Sequence, residues 1–361
     1  MSNSFKKIKI AVLIAAIFLC KSSWCQLQPA KADSFFQFIK NNPSRAAVCI
    51  SSNDSIISSL NQNKLMPLAS TVKLLVAIEF AKQAAKKVVD ENGYIALNEL
   101  DKYYLPTTDG DAHPNWLEYE KSQQHIKADS IRLIDIARGM MMFSSNANTE
   151  FLIDLLGEDN VKNNIQLLGL QQHTAIFYLV SSLFIYQNPY HKKESVILKA
   201  IKNLTEEEYC KVAYGIHFHL KNDSAFKQKF RLNDLSLNMQ KTWSDRLSAS
   251  TAREYVRLAS ILNNRKYFDE TTYGLIAEII EFPMENPAFQ KVFKRYGVKG
   301  GSTAFVLTHV LYFTTLSGKR MELALFFNHL SEKENSNLQN WLDPFEAQVI
   351  FDKQFREKIK F

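Results

Sequence analysis

The 361-residue chain has no internal repeat, no long block of like charge and no low-complexity tract. Those absences exclude a repeat array and a charged tail. With 46% hydrophobic residues, the chain buries a substantial core as one large or two intimately packed domains. No apolar run reaches the roughly 18 residues a membrane-spanning helix needs, so no stable membrane anchor is expected. Net charge is small: the formal +7 falls to +3 once the four lysines of residues 1–25 are set aside, too little to make nucleic acid a partner. Cysteine is scarce, at four residues, and Cys20 and Cys25 fall in the leader segment. Cys49 and Cys210 remain; export permits a disulfide between them, but two cysteines so distant in sequence are more often separate buried thiols.

What is present begins with that leader. Lys6, Lys7 and Lys9 precede the uncharged stretch Ile10 to Cys20 and the polar Lys21-Ser22-Ser23, the pattern of a secretory signal. Residues 1–25 therefore read as a signal peptide cleaved after Cys25 or after Ala32, with a periplasmic or secreted destination. Asp33 to Ile39 opens a helix, and Ala46 to Ser51 and Ser55 to Leu60 form a hairpin around Ser52-Asn53-Asp54. A strong helix is predicted over Thr71 to Lys87, then an irregular polar tract from Asp90 to His125. Helices return at Ile131 to Phe143 and at Asn148 to Leu156, the second closed by Gly157. Thr174 to Leu232 is aromatic-rich and helical in pattern, and Ser250-Thr251 caps a helix running to about Asn263. The last third turns strand-like, at Val292 to Lys299, His309 to Leu316 and Met321 to His329, and ends in a helix over Leu338 to Lys358.

This order predicts an α+β fold: an antiparallel sheet built from both chain ends and flanked by N- and C-terminal helices, plus an inserted, mostly helical domain. The sheet domain is expected over 26–64 and 290–361, and the helical domain over 65–289, with the aromatic-rich insertion near 174–232. Three short stretches fall where a groove between the two parts would lie. Ser70-x-x-Lys73 heads a helix, so hydroxyl and amine share one face a turn apart, and a neutral lysine there can take the serine's proton. Ser144-x-Asn146 joins two helices and points a hydroxyl and an amide into whatever they line. Lys299-Gly300-Gly301-Ser302 ends a strand. Alone, each has a plain structural alternative, since Ser and Asn commonly cap helices and lysines are commonly solvated.

Taken together and in this order, the stretches resemble the penicillin-recognising serine hydrolases, most closely the class A β-lactamase family. The resemblance runs from about Ala46 to the C-terminal helix, apart from the insertion, and implies the β-lactamase/transpeptidase fold. It implies that Ser70 is the acylated nucleophile, Lys73 its proton acceptor and Ser144 the relay to the leaving nitrogen. Asn146 would hold the substrate's amide side chain, and Lys299 would supply charge for the substrate carboxylate. The N–H groups of Ser70 and Ser302 would form the oxyanion hole, with Gly301 small so that the strand can approach the acyl group. The sequence departs from the family at three places. Ser145 stands where the family has aspartate. Gly300 removes a hydroxyl that Ser302 could replace. Asp234, in Asp234-Leu235-Ser236-Leu237-Asn238, is the best match to the glutamate that activates the deacylating water, but it is one methylene shorter. An ungapped count also places His309 near the family's carboxylate-binding arginine, where it is otherwise an ordinary sheet-face histidine.

His217-Phe218-His219 lacks a third ligand, so neither a metal nor any other cofactor is expected. The aromatic residues of the insertion read as added core, the alternatives being a lid or a partner surface. The expected function is an exported, monomeric serine β-lactamase acting on a small-molecule substrate, with the β-lactam catabolism and antibiotic resistance that implies. A penicillin-binding peptidase acting on a D-Ala-D-Ala-like peptide, or another amidase or esterase, is the rival enzyme. A non-catalytic cell-wall or partner-binding descendant is the third reading.

Overall fold

The computed structural model describes residues 28–187, 192–229 and 235–361. The proposed leader and Asp234 lie outside the described residues. Helix α1 (Pro29–Asn41) leads into β1 (Ala46–Ser52), β2 (Ser55–Leu60) and β3 (Leu65–Pro67), and a 3₁₀ turn (Ala69–Val72) opens α2 (Lys73–Ala85). After β4 (Tyr94–Ala96) come α3 (Ala112–Ser122), β5 (Ser130–Arg132), α4 (Leu133–Met142) and α5 (Asn146–Leu156). The insertion carries α6 (Glu206–Asn222); β6 (Ala249–Thr251) and α7 (Ala252–Asn264) follow it. The chain closes with β7 (Phe293–Ser302), β8 (Leu307–Thr315), β9 (Arg320–Phe327) and α8 (Glu332–Phe351).

Five strands form one antiparallel sheet in the order β2-β1-β9-β8-β7, so both chain ends build it and β7 is an edge. Period-two alternation divides its apolar residues between two cores. Val48, Ile50, Leu311, Leu323 and Leu325 face α1 and α8, while Cys49, Val310, Tyr312 and Phe326 face the helical region. On the first face Phe35 of α1 stacks on Phe345 of α8 at 4.5 Å between centroids. Cys49 and Cys210 are separate thiols, and burial pushes them up to about 12 and about 11. Among the described residues no helix is long and apolar enough to cross a membrane.

Two expectations change. The tract from Asp90 to His125 contains α3, because Pro114 sits in its first turn, where a missing N–H costs nothing. The closing helix starts earlier, at a capping box made by Ser331 and Glu334, and breaks at Asp352, which caps a short separate helix, Lys353–Lys358.

Candidate active site

The Ser70 turn is braced through the carbonyl of Leu68, which accepts from the Thr71 N–H at 3.1 Å, from Thr71 Oγ1 at 2.7 Å and from Thr308 Oγ1 of β8 at 2.8 Å. Ala69, just before the serine, has φ +45°, a left-handed value that a residue with a side chain adopts at a cost and that surrounding contacts must hold. Edge strand β7 lies against this turn: a Cβ on Gly301 would stand 2.5 Å from the Ser70 nitrogen and 2.6 Å from Thr308 Oγ1. The Thr303 N–H bonds to Val306 O at 3.0 Å, back toward β8. The preceding N–H, that of Ser302, is therefore directed to the unpaired edge.

The other wall is the junction of α4 and α5. Ser144 adopts φ +67°, and its oxygens meet two amines. Lys73 Nζ donates to Ser144 O at 2.6 Å, to Ser144 Oγ at 3.2 Å and to Asn146 Oδ1 at 2.8 Å. Lys299 Nζ donates to Ser144 Oγ at 3.1 Å and to Gly300 O at 2.8 Å. Both lysines are buried. Burial, and then the charge of Lys299, hold Lys73 well below the usual ammonium range, with Asp109 and Glu150 pulling the other way. Burial alone pushes Lys299 down to about 7. With Asn146 Oδ1 taken by Lys73, the Asn146 Nδ2 donor is left for a ligand carbonyl.

Ser145 does other work. Its side chain caps α5 by accepting from the Asn148 N–H at 3.2 Å, and its Oγ lies 2.9 Å from His113 Nδ1. Burial holds His113 down to about 4, so this imidazole is neutral at physiological pH. A polar side chain suffices at 145 because α3 brings a histidine to it.

The structure thus gathers the Ser70 turn, Lys73, Ser144, Asn146, Lys299 and Gly301 into one cluster. The Ser302 hydroxyl does not join them: it donates to Thr303 O at 3.2 Å and lies 3.5 Å from Gln339 Nε2 of α8. Only its backbone reaches the cleft edge, so the idea that its hydroxyl replaces the one missing at Gly300 is corrected: the hydroxyl is taken up by Thr303 O on the side of α8. His309 shares that side and sits buried 2.9 Å from Glu346 Oε1. Burial disfavours its charge, and Glu346 outweighs burial and raises it.

Sequence reasoning missed two carboxylates near Lys73. Asp109 is half-buried; its Oδ2 accepts from the His113 N–H at 3.2 Å, and desolvation raises it against the pull of Lys73 and of backbone N–H groups that include Asn146. Its stretch carries only a turn signature. Glu150, which is buried, lies four residues after Asn146 on one helix face, a spacing that could have found it. Two buried amines of lowered pKa that meet on one hydroxyl, Ser144 Oγ, beside a serine-bearing turn and an edge N–H donor make a set suited to acyl transfer.

Compared with known proteins, residues 37–339 match the model described as the beta-lactamase enzyme family. A search of curated protein sequences returned no match. Among solved structures, the chain is similar to the TLA-3 extended-spectrum β-lactamase, with TM-score 0.53 and 14% identity over 90% of this chain and 98% of that one. It is similar to a β-lactamase from Chitinophaga pinensis DSM 2588, with TM-score 0.52 and 12% identity over 87% and 97%. It is also similar to a PBP-A variant in acyl-enzyme complex with penicillin G, with TM-score 0.51 and 14% identity over 89% and 96%. At such identities the likeness is one of fold.

Proposed function

The chain belongs to the β-lactamase enzyme family, and from that premise we propose that it is an exported serine hydrolase that opens a β-lactam through an acyl-enzyme on Ser70. The observation that carries this reading is the convergence of two buried amines on one hydroxyl, Ser144 Oγ, beside the Ser70 turn. In the proposed reaction Ser70 Oγ attacks the lactam carbonyl as neutral Lys73 accepts its proton. The C–O bond forms, the C–N bond breaks, and Ser144 protonates the leaving nitrogen, refilled from Lys73. Ser70 and Ser302 N–H groups stabilise the oxyanion, each preorganised donor contributing roughly 3 kcal/mol. The Lys299 ammonium holds the substrate carboxylate, and Asn146 Nδ2 the acylamide carbonyl. Water then releases the acyl group, with Asp234 as the proposed base. The substrate is a small molecule, and the chain acts as a monomer.

A second reading, a penicillin-binding enzyme with a long-lived adduct, is favoured by a specific observation. The small pocket beside Asn146 is walled by Val72, Val76, Ile153 and Leu179, and Glu150, its one carboxylate among the described residues, already accepts from backbone N–H groups. A time course of intact mass after mixing with penicillin separates the readings. A transient adduct supports the lactamase, a persistent one the penicillin-binding enzyme, and no adduct removes both.

A further inference from the structure

The helix supplied by the insertion reaches the cleft through one buried histidine. His217 of α6 lies between two carboxylates of α5, with Nδ1 3.2 Å from Glu150 Oε2 and Nε2 3.0 Å from Asp154 Oδ1. Its ring stacks on Tyr178 at 3.6 Å between centroids and 9° between planes. Asp154 also accepts from Tyr178 Oη at 2.7 Å, Tyr103 Oη at 2.9 Å and Lys221 Nζ at 2.6 Å. Glu150 in turn holds the backbone of the segment that begins at Tyr178: its Oε1 accepts from the Val180 N–H at 2.8 Å and the Ser181 N–H at 3.4 Å. The Ser181 hydroxyl stands 3.4 Å from Glu150 Oε2 and 3.3 Å from His217 Nδ1. Within this segment Leu179 lines the same cavity as Val72 and Asn146.

We propose that His217 is a positioning residue which, with Glu150 and Asp154, clamps residues 178–181 onto α5 and so fixes the cleft wall beside Asn146 and Lys73. Only the imidazolium donates from both ring nitrogens, so only the charged ring bonds both carboxylates; a neutral ring takes its donor away from one of them and leaves their two negative charges without the imidazolium between them. The charged and titratable groups facing His217 are Glu150 and Asp154 from α5, Tyr178 from the segment, Tyr103 from the neighbouring loop and Lys221 from its own helix. Burial disfavours the imidazolium, but the hydrogen bonds of Asp154 and Glu150 outweigh it and push His217 up to about 9. Burial raises both phenols, so neither titrates in that range. Because Glu150 also acts on the charge of Lys73, loosening it disturbs the amine as well as the wall. The effect on rate rests on the acyl-transfer reading above, whereas the clamp does not.

Hydrogen exchange of the full chain, followed peptide by peptide, tests the clamp, and the rate of Ser70 labelling by a fluorescent penicillin tests its consequence. His217→Gln is expected to speed exchange in 178–182 about tenfold while 321–327 stays unchanged, and to slow labelling about tenfold to a hundredfold. Glu150→Gln gives the same exchange change. In the wild type, exchange corrected for its intrinsic pH dependence rises, and labelling falls, in a step near pH 9 that His217→Gln removes. If the variants fail to fold, the wild-type pH series decides. Unchanged exchange in 178–182, no alkaline step in the wild type, or a loosened segment with full labelling rate overturns the proposal. If the wild type is not labelled at all, the acyl-transfer reading falls and exchange alone decides the clamp.

Discussion

Two buried polar clusters share helix α5, one at its start and one a turn or two further on, and they are built in opposite ways. At the start, Lys73 and Lys299 bring two amines onto hydroxyl, amide and carbonyl oxygens, with no carboxylate in hydrogen-bond contact with either Nζ among the described residues. Burial drives both amines toward neutrality. Further along, His217 sits between Glu150 and Asp154, and its charge is held. An amine left without a counter-ion is a base and a site waiting for an anion. A histidine surrounded by carboxylates is a fixed strut. The difference lies in which partners each buried nitrogen base is given, and under the proposed function it separates the groups that react from the groups that hold them.

The comparison breaks most visibly at the reacting cluster. Lys73→Met is expected to lower acylation by about 10²–10⁴-fold, the usual contribution of a positioned proton acceptor, measured by stopped-flow reaction with a chromogenic cephalosporin. Gly301→Ala places a methyl group against the Ser70 nitrogen and is expected to cost about 10²–10³-fold in the same assay, the scale of one lost oxyanion donor. At the holding cluster, Asp154→Asn takes away one of the two negative charges that face a buried imidazolium, and denaturant unfolding should show a loss of about 3 kcal/mol. The pH dependence of stability sharpens the contrast. His217 rises from 6.5 unfolded to about 9 folded, so its contribution is complete below pH 6.5 and is lost as pH climbs through 9. Lys299 gives the smallest effect: as pH rises through about 7 its ammonium is lost, and the affinity of the free enzyme for an anionic β-lactam should fall by up to about tenfold per pH unit, read from saturation kinetics.

Much of the cleft was legible because it depends on local order. Ser70 and Lys73 share a helix face by spacing, Ser144 and Asn146 mark a helix junction, and the strand patterns near both chain ends pair only with each other. The holding cluster was not legible in the same way. Glu150 and His217 are 67 residues apart, and nothing in either segment specifies the other. His217-Phe218-His219 drew notice as a metal-like pair, yet on α6 neighbouring side chains diverge: His217 turns inward while His219 lies against Phe226. Ser302 taught the same lesson on the sheet, where the hydroxyl is taken up by Thr303 O and only the backbone reaches the cleft edge.

The central claim is that the Ser70 hydroxyl is the group acylated. Penicillin-treated protein, quenched early, digested with trypsin and mapped by tandem mass spectrometry, tests it directly. The account predicts the added mass on peptide 65–73, at Ser70, and none in Ser70→Ala. An adduct on another peptide, or on Ser70→Ala at the wild-type level, would contradict it.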